Sequence, residues 1–333
     1  MIELRSGVLA AGVVPHGARL ARLVAPDRAG APGEVVLGLA EDAYPADRAY
    51  LGATVGRYAN RIARGRFVLD GREHAVACNE PGAALHGGPA GLDHADFSAG
   101  AVEDVPGGQR VVLHHRDEDG GGFPGVLDVT VTYTLRDADL AVDVLATTDA
   151  ATVVNLTNHA YWHLGGGGPA GGHEVRVFAD RYLPVDGDLM PTGELAPVAG
   201  TPFDLRSPAA VDTGLAVGHP QLDAAGGYDH TFVLDGSGPV ADGLRAAAHV
   251  RDPGSGRTLT VFTDQPGVQF YSGNMLDGSV VLHDGRRAGR REAFCLEPQH
   301  FPDSPNRPEF PSTVLRPGEE RWTRILFRLG TDR

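Results

Sequence analysis

Apolar and polar positions alternate with a period of two over much of this chain. The clearest run is VLDVTVTYTLRDADLAVDVLATT, residues 126–148, where Leu127, Val129, Val131, Tyr133 and Leu135 are separated by polar positions. A polar turn at Asp137 to Asp139 follows, and Leu140, Val142 and Val144 resume the alternation. That period predicts a half-buried β-hairpin. Similar strand and turn signals recur at 66–74, 173–185, 229–236, 259–274 and 321–329. Runs of period 3.6 are scarce, and the best helical candidate is one short turn near residues 50–62. Gly 46 and Pro 24 fall at short intervals, as they do in a chain of many strands and turns, and no linker or fixed repeat divides them. The expectation is one large all-β domain over residues 1–333 with few short helices.

One segment carries two histidines at a spacing that suggests chemistry. NLTNHAYWHL, 155–164, holds His159 and His163. On a helix they would share a face and could chelate zinc, but the metalloprotease form needs Glu after the first His, and Ala160 stands there. The β-branched run before it and the glycines after it favour a strand. His159, Tyr161 and His163 would then face one way, with Asn158, Ala160 and Trp162 facing the other. At roughly 3.3 Å per residue the two histidines lie about 13 Å apart, too far to share one ion.

Composition narrows the function classes. A net charge of −14 opposes nucleic acid and anionic membrane as partners. No stretch approaches the roughly 18 to 20 apolar residues of a membrane span. The first residues carry Glu3 and are broken by Pro15 and Gly17, which is not the pattern of a secretory leader, so a cytoplasmic protein is expected. The two cysteines, Cys78 and Cys295, are far apart and form no CxxC, which suits a reducing compartment. All 29 cations are arginine. Without lysine there is no Schiff-base nucleophile, no pyridoxal-phosphate anchor and no P-loop lysine. The GxGxxG in GGGGPAGG, 165–172, contains a proline and precedes no helix, so it reads as a surface loop.

Other stretches concentrate polar groups at strand ends. FCLEPQHFPDSPNRP, 294–308, presents Glu297 where a strand meets a chain of prolines, a place equally suited to a general base and to an ordinary surface acid. NEPGAALHGG sets His86 against two glycines, GYDHTFVLD puts Asp229 at a strand start, and GVQFYSGN gives Gln269. VGRYANRIARGRF carries Asn60 and Arg61. Each alone is compatible with ordinary loop chemistry.

In this order, GRYANRI, LHGG, NLTNHAYW, YDH, GVQFYSGN and CLEPQHFPDSPN resemble the aldose 1-epimerase family over residues 50 to 306. The resemblance implies a large antiparallel β-sandwich, the mutarotase-like supersandwich, with a sugar site in an open cleft. It places the catalytic base on Glu297 and the catalytic acid on His159. His86, Asp229, Arg61, Asn60 and Gln269 become sugar-binding residues, and Tyr161 a wall on the His159 face. The implied reaction interconverts the α and β anomers of free hexoses and uses neither metal nor other cofactor. The implied partner is a small sugar, and the protein a monomer or homodimer. The reaction needs an ionised Glu297 and a protonated His159, the latter through a modest upward push on its pKa by nearby carboxylates. A hexose 6-phosphate epimerase, which would need an arginine cluster at the cleft mouth, and a silent sugar-binding protein on the same fold are the alternatives. His163 is left as a structural residue, and His300 without a role.

Overall fold

The computed structural model describes residues 1–332. Every strand ladder among them is antiparallel, including the hairpin read from the sequence, Leu127–Arg136 with Asp139–Thr148. That hairpin is central to an eleven-stranded sheet. The last strand, Arg321–Thr331, inserts between Asp139–Thr148 and Arg257–Thr263, so the chain's end completes the middle of the sheet. A six-stranded sheet packs over it, in the spatial order Tyr161–Trp162, Phe294–Gln299, Gly267–Tyr271, Asp229–Leu234, Ala179–Tyr182 and Ala196–Pro197. Four strands from the first 34 residues form a third sheet.

Alternation decides which residues fill the space between the two larger sheets. Val129, Val131, Tyr133 and Leu135 are fully buried and join Phe232, Val268, Phe270, Phe294 and Leu296 of the six-stranded sheet in one cluster. Each such side chain contributes about 1.5–3 kcal/mol on burial. Because successive side chains point to opposite faces, Asp229, Thr231, Gln269, Tyr271, Cys295 and Glu297 are turned to the other side of the same strands.

Two local expectations are corrected. Residues 50–62 form no helix: Thr54–Val55 pairs with Thr157–Asn158, and Arg61–Ala63 pairs with Ala83–Leu85. Tyr50, Gly52 and Asn60 adopt left-handed backbone, which breaks any helical turn, and a Cβ on Gly52 would fall 2.0 Å from the Leu20 carbonyl. The 173–185 run divides at Phe178 into Glu174–Val177 in the large sheet and Ala179–Tyr182 in the small one.

The 155–164 segment is two short strands, Thr157–Asn158 and Tyr161–Trp162, with different partners. Between them His159 donates its backbone N–H to Ala53 and accepts from Gly52. The expected alternation holds for its side chains from Asn158 to Trp162 but not for His163. Ala160 and Trp162 enter the core, and Asn158 donates to the Tyr133 hydroxyl at 3.0 Å. The His159 and Tyr161 rings stack at 5.1 Å on the opposite side. His163 turns away to meet His173, ring centroids 4.9 Å apart, and accepts the Gly167 N–H at Nδ1.

His173 closes this part of the fold by holding a neutral ring. Its Nδ1–H meets the Ala170 carbonyl at 2.8 Å and its Nε2 accepts the Leu164 N–H at 3.0 Å. Burial, then the neighbouring His163, pushes its pKa down to about 4. Between that value and the unfolded value near 6.5, the unfolded chain binds the extra proton, so stability present above 6.5 is lost as the pH falls, up to roughly 3 kcal/mol. A His173→Gln variant keeps both hydrogen bonds without the titration. In urea unfolding it loses less stability than the wild type between about pH 7 and about pH 4.5; equal losses would contradict the assignment.

Candidate active site

The outward face of the six-stranded sheet supplies the floor of a large cavity. The register sets two rows across it: Thr231, Gln269 and Glu297 in one, and Asp229, Tyr271, Cys295 and Tyr161 in the other. Neighbouring strands are about 4.8 Å apart, so side chains distant in sequence meet here without any loop rearrangement. The cavity above holds about 670 Å³. Of the eight residues singled out in the sequence, Glu297, His159, His86, Asp229, Arg61, Asn60 and Tyr161 line it.

Gln269 does not line the cavity. It lies beside Asp229: its side-chain amide donates to Asp229 Oδ1 at 2.6 Å, and its Oε1 accepts the Thr231 hydroxyl at 2.5 Å. Thr231 thereby fixes which end of the amide faces the carboxylate. Asp229 Oδ2 lies 3.7 Å from Arg61 Nη1, and Arg61 Nε donates to Glu80 Oε2 at 2.9 Å. Burial, outweighing Arg61, raises the pKa of Asp229.

His86 is held by the backbone. It follows the strand Ala83–Leu85 in left-handed conformation, and exchanges two hydrogen bonds with the equally left-handed Asn60. Its own N–H reaches the Asn60 carbonyl, and the Asn60 N–H donates to His86 Nδ1 at 3.1 Å. Gly87 permits the approach, since a Cβ there would fall 2.0 Å from the Gly56 carbonyl. An Nδ1 that accepts from an amide carries no proton, so the neutral ring bears Nε2–H. Burial, then His159 and Arg61, keeps it neutral by lowering its pKa well below 6.5.

Glu297 and His159 face each other, with Oε2 and Nε2 3.6 Å apart. Both are almost inaccessible, and Glu297 Oε2 has no hydrogen-bond partner within the protein. The surface-acid reading of Glu297 therefore fails. In the sugar-free site both shifts run against the expected ionisation. Burial pushes His159 down to about 4 and, reinforced by Asp229, raises Glu297 well above its ordinary range. The upward push on His159 anticipated from neighbouring carboxylates is outweighed because both groups leave water together.

His86, His159 and Glu297 offer ligand atoms within 4.8 Å of one another, which is metal-site spacing. The chemistry of His86 does not fit. A metal on Nε2 requires the proton on Nδ1, where it would oppose the Asn60 N–H. The trio suits hydrogen bonding and proton transfer better than coordination.

A sequence profile described as aldose 1-epimerase matches residues 1–328. The galactose mutarotase of Pongo abelii is 43% identical over 321 residues, 96% of this chain and 90% of that protein. The chain belongs to the aldose 1-epimerase family. The Escherichia coli K12 aldose 1-epimerase is 39% identical over 311 residues, covering 91% of this chain and 87% of its own. Among solved structures, an aldose epimerase homologue from C. elegans superposes with a TM-score of 0.89 at 30% identity, covering 100% of this chain and 99% of that one. A galactose 1-epimerase from Lactobacillus acidophilus gives 0.87 at 26%, covering 99% and 94%. Like the rest of the aldose 1-epimerase family, the chain is an isomerase.

Several residues at this cavity were not singled out in the sequence. Tyr50 packs on His86 with centroids 4.7 Å apart, Glu80 anchors Arg61, and Tyr271 and Asp47 line the cavity. Tyr271 lies within GVQFYSGN and Glu80 within NEPGAALHGG, so position in these stretches was the available signal for those two. Asp47 had none, because its partner Arg19, 2.8 Å away, is remote in sequence. The locked tautomer gives a direct test. Long-range ¹H–¹⁵N spectra are expected to show His86 as Nε2–H from about pH 5 to about pH 8, unchanged by stoichiometric Zn²⁺. A zinc-induced shift of both His86 nitrogens would contradict it.

Proposed function

We propose that the protein interconverts the α and β anomers of free aldohexoses through acid–base ring opening, with Glu297 and His159 as the proton-transferring pair. The observation that carries this reading is their 3.6 Å separation at the cavity floor. Ring opening requires proton removal from the anomeric oxygen and proton delivery to the ring oxygen. Those two oxygens share one carbon, so a base and an acid this close can address both at once.

The neutral pair and the ion pair contain the same number of protons. In the empty site the proton rests on Glu297, and His159 is uncharged. A bound sugar brings hydroxyl donors to the Glu297 carboxylate, stabilising its charged form, and the proton passes to His159 Nε2. Glu297 then takes the O1 proton, the C1–O5 bond breaks as the C1 carbonyl forms, and His159 gives its Nε2 proton to O5. Rotation of the aldehyde by about half a turn and the reverse transfers close the ring as the other anomer, with both groups restored. His86 donates Nε2–H to a sugar oxygen, and Asp229 with Arg61 holds hydroxyls further along the ring.

Charge favours a free sugar over a phosphorylated one. Besides the Glu297–His159 pair, which is neutral overall, the cavity lining contains two arginines, Arg48 and Arg61, against four acids, Asp47, Glu80, Asp229 and Asp277. A phosphate would need the reverse balance.

Glu297→Gln is expected to lower the polarimetric acceleration of α-glucose or α-galactose mutarotation by at least about 10²-fold, and a value within a few-fold of wild type would overturn the assignment. The pH profile is a second check. The working pair carries one transferable proton and gains a second only below the depressed pKa of His159, about 4. Activity should therefore persist as the pH falls through 6.5 and decline near 4; an acid limb near 6.5 would contradict the shared proton.

A further inference from the structure

Cys295 occupies the cross-strand row between Tyr161 and Tyr271, beneath the histidine rather than in the cavity lining. It is fully buried, with Sγ 3.6 Å from His159 Nδ1. Nothing in the reaction uses this thiol directly. Its neighbour must nevertheless solve a problem of tautomers: an imidazole that delivers a proton from Nε2 keeps its other proton on Nδ1, before and after the transfer.

We infer that Cys295 is a positioning residue whose sulfur accepts the His159 Nδ1–H and so reserves Nε2, the nitrogen facing Glu297, for proton exchange with the sugar. This rests on the proposed role of His159 as proton donor. A sulfur acceptor suits the task because it is weak. A carboxylate at Nδ1 would stabilise the imidazolium and blunt its acidity, whereas a thiol orients the ring and leaves the imidazolium a strong acid. Burial, with Glu297 and Asp229 nearby, keeps the thiol itself protonated.

The other groups around the ring do not compete for Nδ1. Glu297 faces Nε2, while His86, Tyr50 and Tyr161 present rings at 5.2, 5.9 and 5.1 Å. Asp47 and Arg19 act on His159 with opposite signs and are bonded to each other. The His159 carbonyl also interacts with the ring and favours its protonated form.

The test compares wild type, Cys295→Ala and Cys295→Ser by mutarotation kinetics and by ¹⁵N spectra of His159. Cys295→Ala should lower kcat at least about tenfold, part of the 10² to 10⁴ that a positioned acid contributes, with KM within about twofold. Its His159 should show mixed tautomers. Cys295→Ser should recover most of kcat, retain Nδ1–H and move the acid limb upward, since a hydroxyl oxygen is the stronger acceptor. Unchanged kcat, acid limb and tautomer in Cys295→Ala, with His159→Asn inactive, would overturn the inference alone. If Cys295→Ala does not fold, a Cys295→Ser profile identical to wild type in pH and tautomer has the same consequence. An active His159→Asn would instead remove the proton-donor reading on which it stands.

Discussion

Burial of a carboxylic acid against an imidazole is the constraint around which the site is arranged. Glu297 and His159 are within reach of each other in a place that water scarcely enters, and low polarity disfavours the separate charges that acid–base ring opening requires. A site with one proton shared between the two resolves the conflict. In the proposed mechanism it is electrically neutral when empty and becomes an ion pair only when a ligand supplies the hydrogen bonds that the bare carboxylate lacks. That mechanism couples activation to occupancy and maintains no charged, reactive pair in the free protein.

The rest of the structure serves that arrangement by geometry. One face of the six-stranded sheet packs Phe270, Phe294 and Leu296 into the core, which fixes the strands rigidly. The opposite face of the same strands then holds Asp229, Gln269 and Glu297 in fixed register. Loops supply the remainder under backbone control. Tyr50, Asn60 and His86 all adopt left-handed backbone at the cavity wall, a costly conformation outside glycine that concentrates at ligand sites. At Asn60 and His86 the strain is borne by a reciprocal pair of hydrogen bonds, His86 N–H to the Asn60 carbonyl and Asn60 N–H to His86 Nδ1, and the second sets the His86 tautomer.

Much of this was legible in the chain because β alternation is short-range. The 127–148 hairpin, the strands at 229–234, 267–271 and 321–331, and the opposite facing of His159 and Trp162 all follow from period two. The family motifs brought together seven cavity residues from segments far apart in sequence. What escaped the sequence depends on long-range contact. Gln269 has the residue type of a sugar ligand, yet Thr231 and Asp229 engage both ends of its amide away from the cavity. The helical turn near residue 50 failed because Gly52 is pressed against Leu20, a contact invisible locally. Burial shifts Glu297 up and His159 down, against the ionisation expected of them, since desolvation is a property of the folded surroundings and not of the residue.

Infrared difference spectroscopy of the sugar-free protein near neutral pH, wild type minus Glu297→Gln, observes the shared proton most directly. The expected spectrum contains the carbonyl stretch of a protonated carboxylic acid that is lost in the variant and is replaced by carboxylate bands when a non-isomerisable sugar analogue is added to the wild type. A Glu297 already ionised in the empty site, with His159 as imidazolium, would contradict the neutral resting pair.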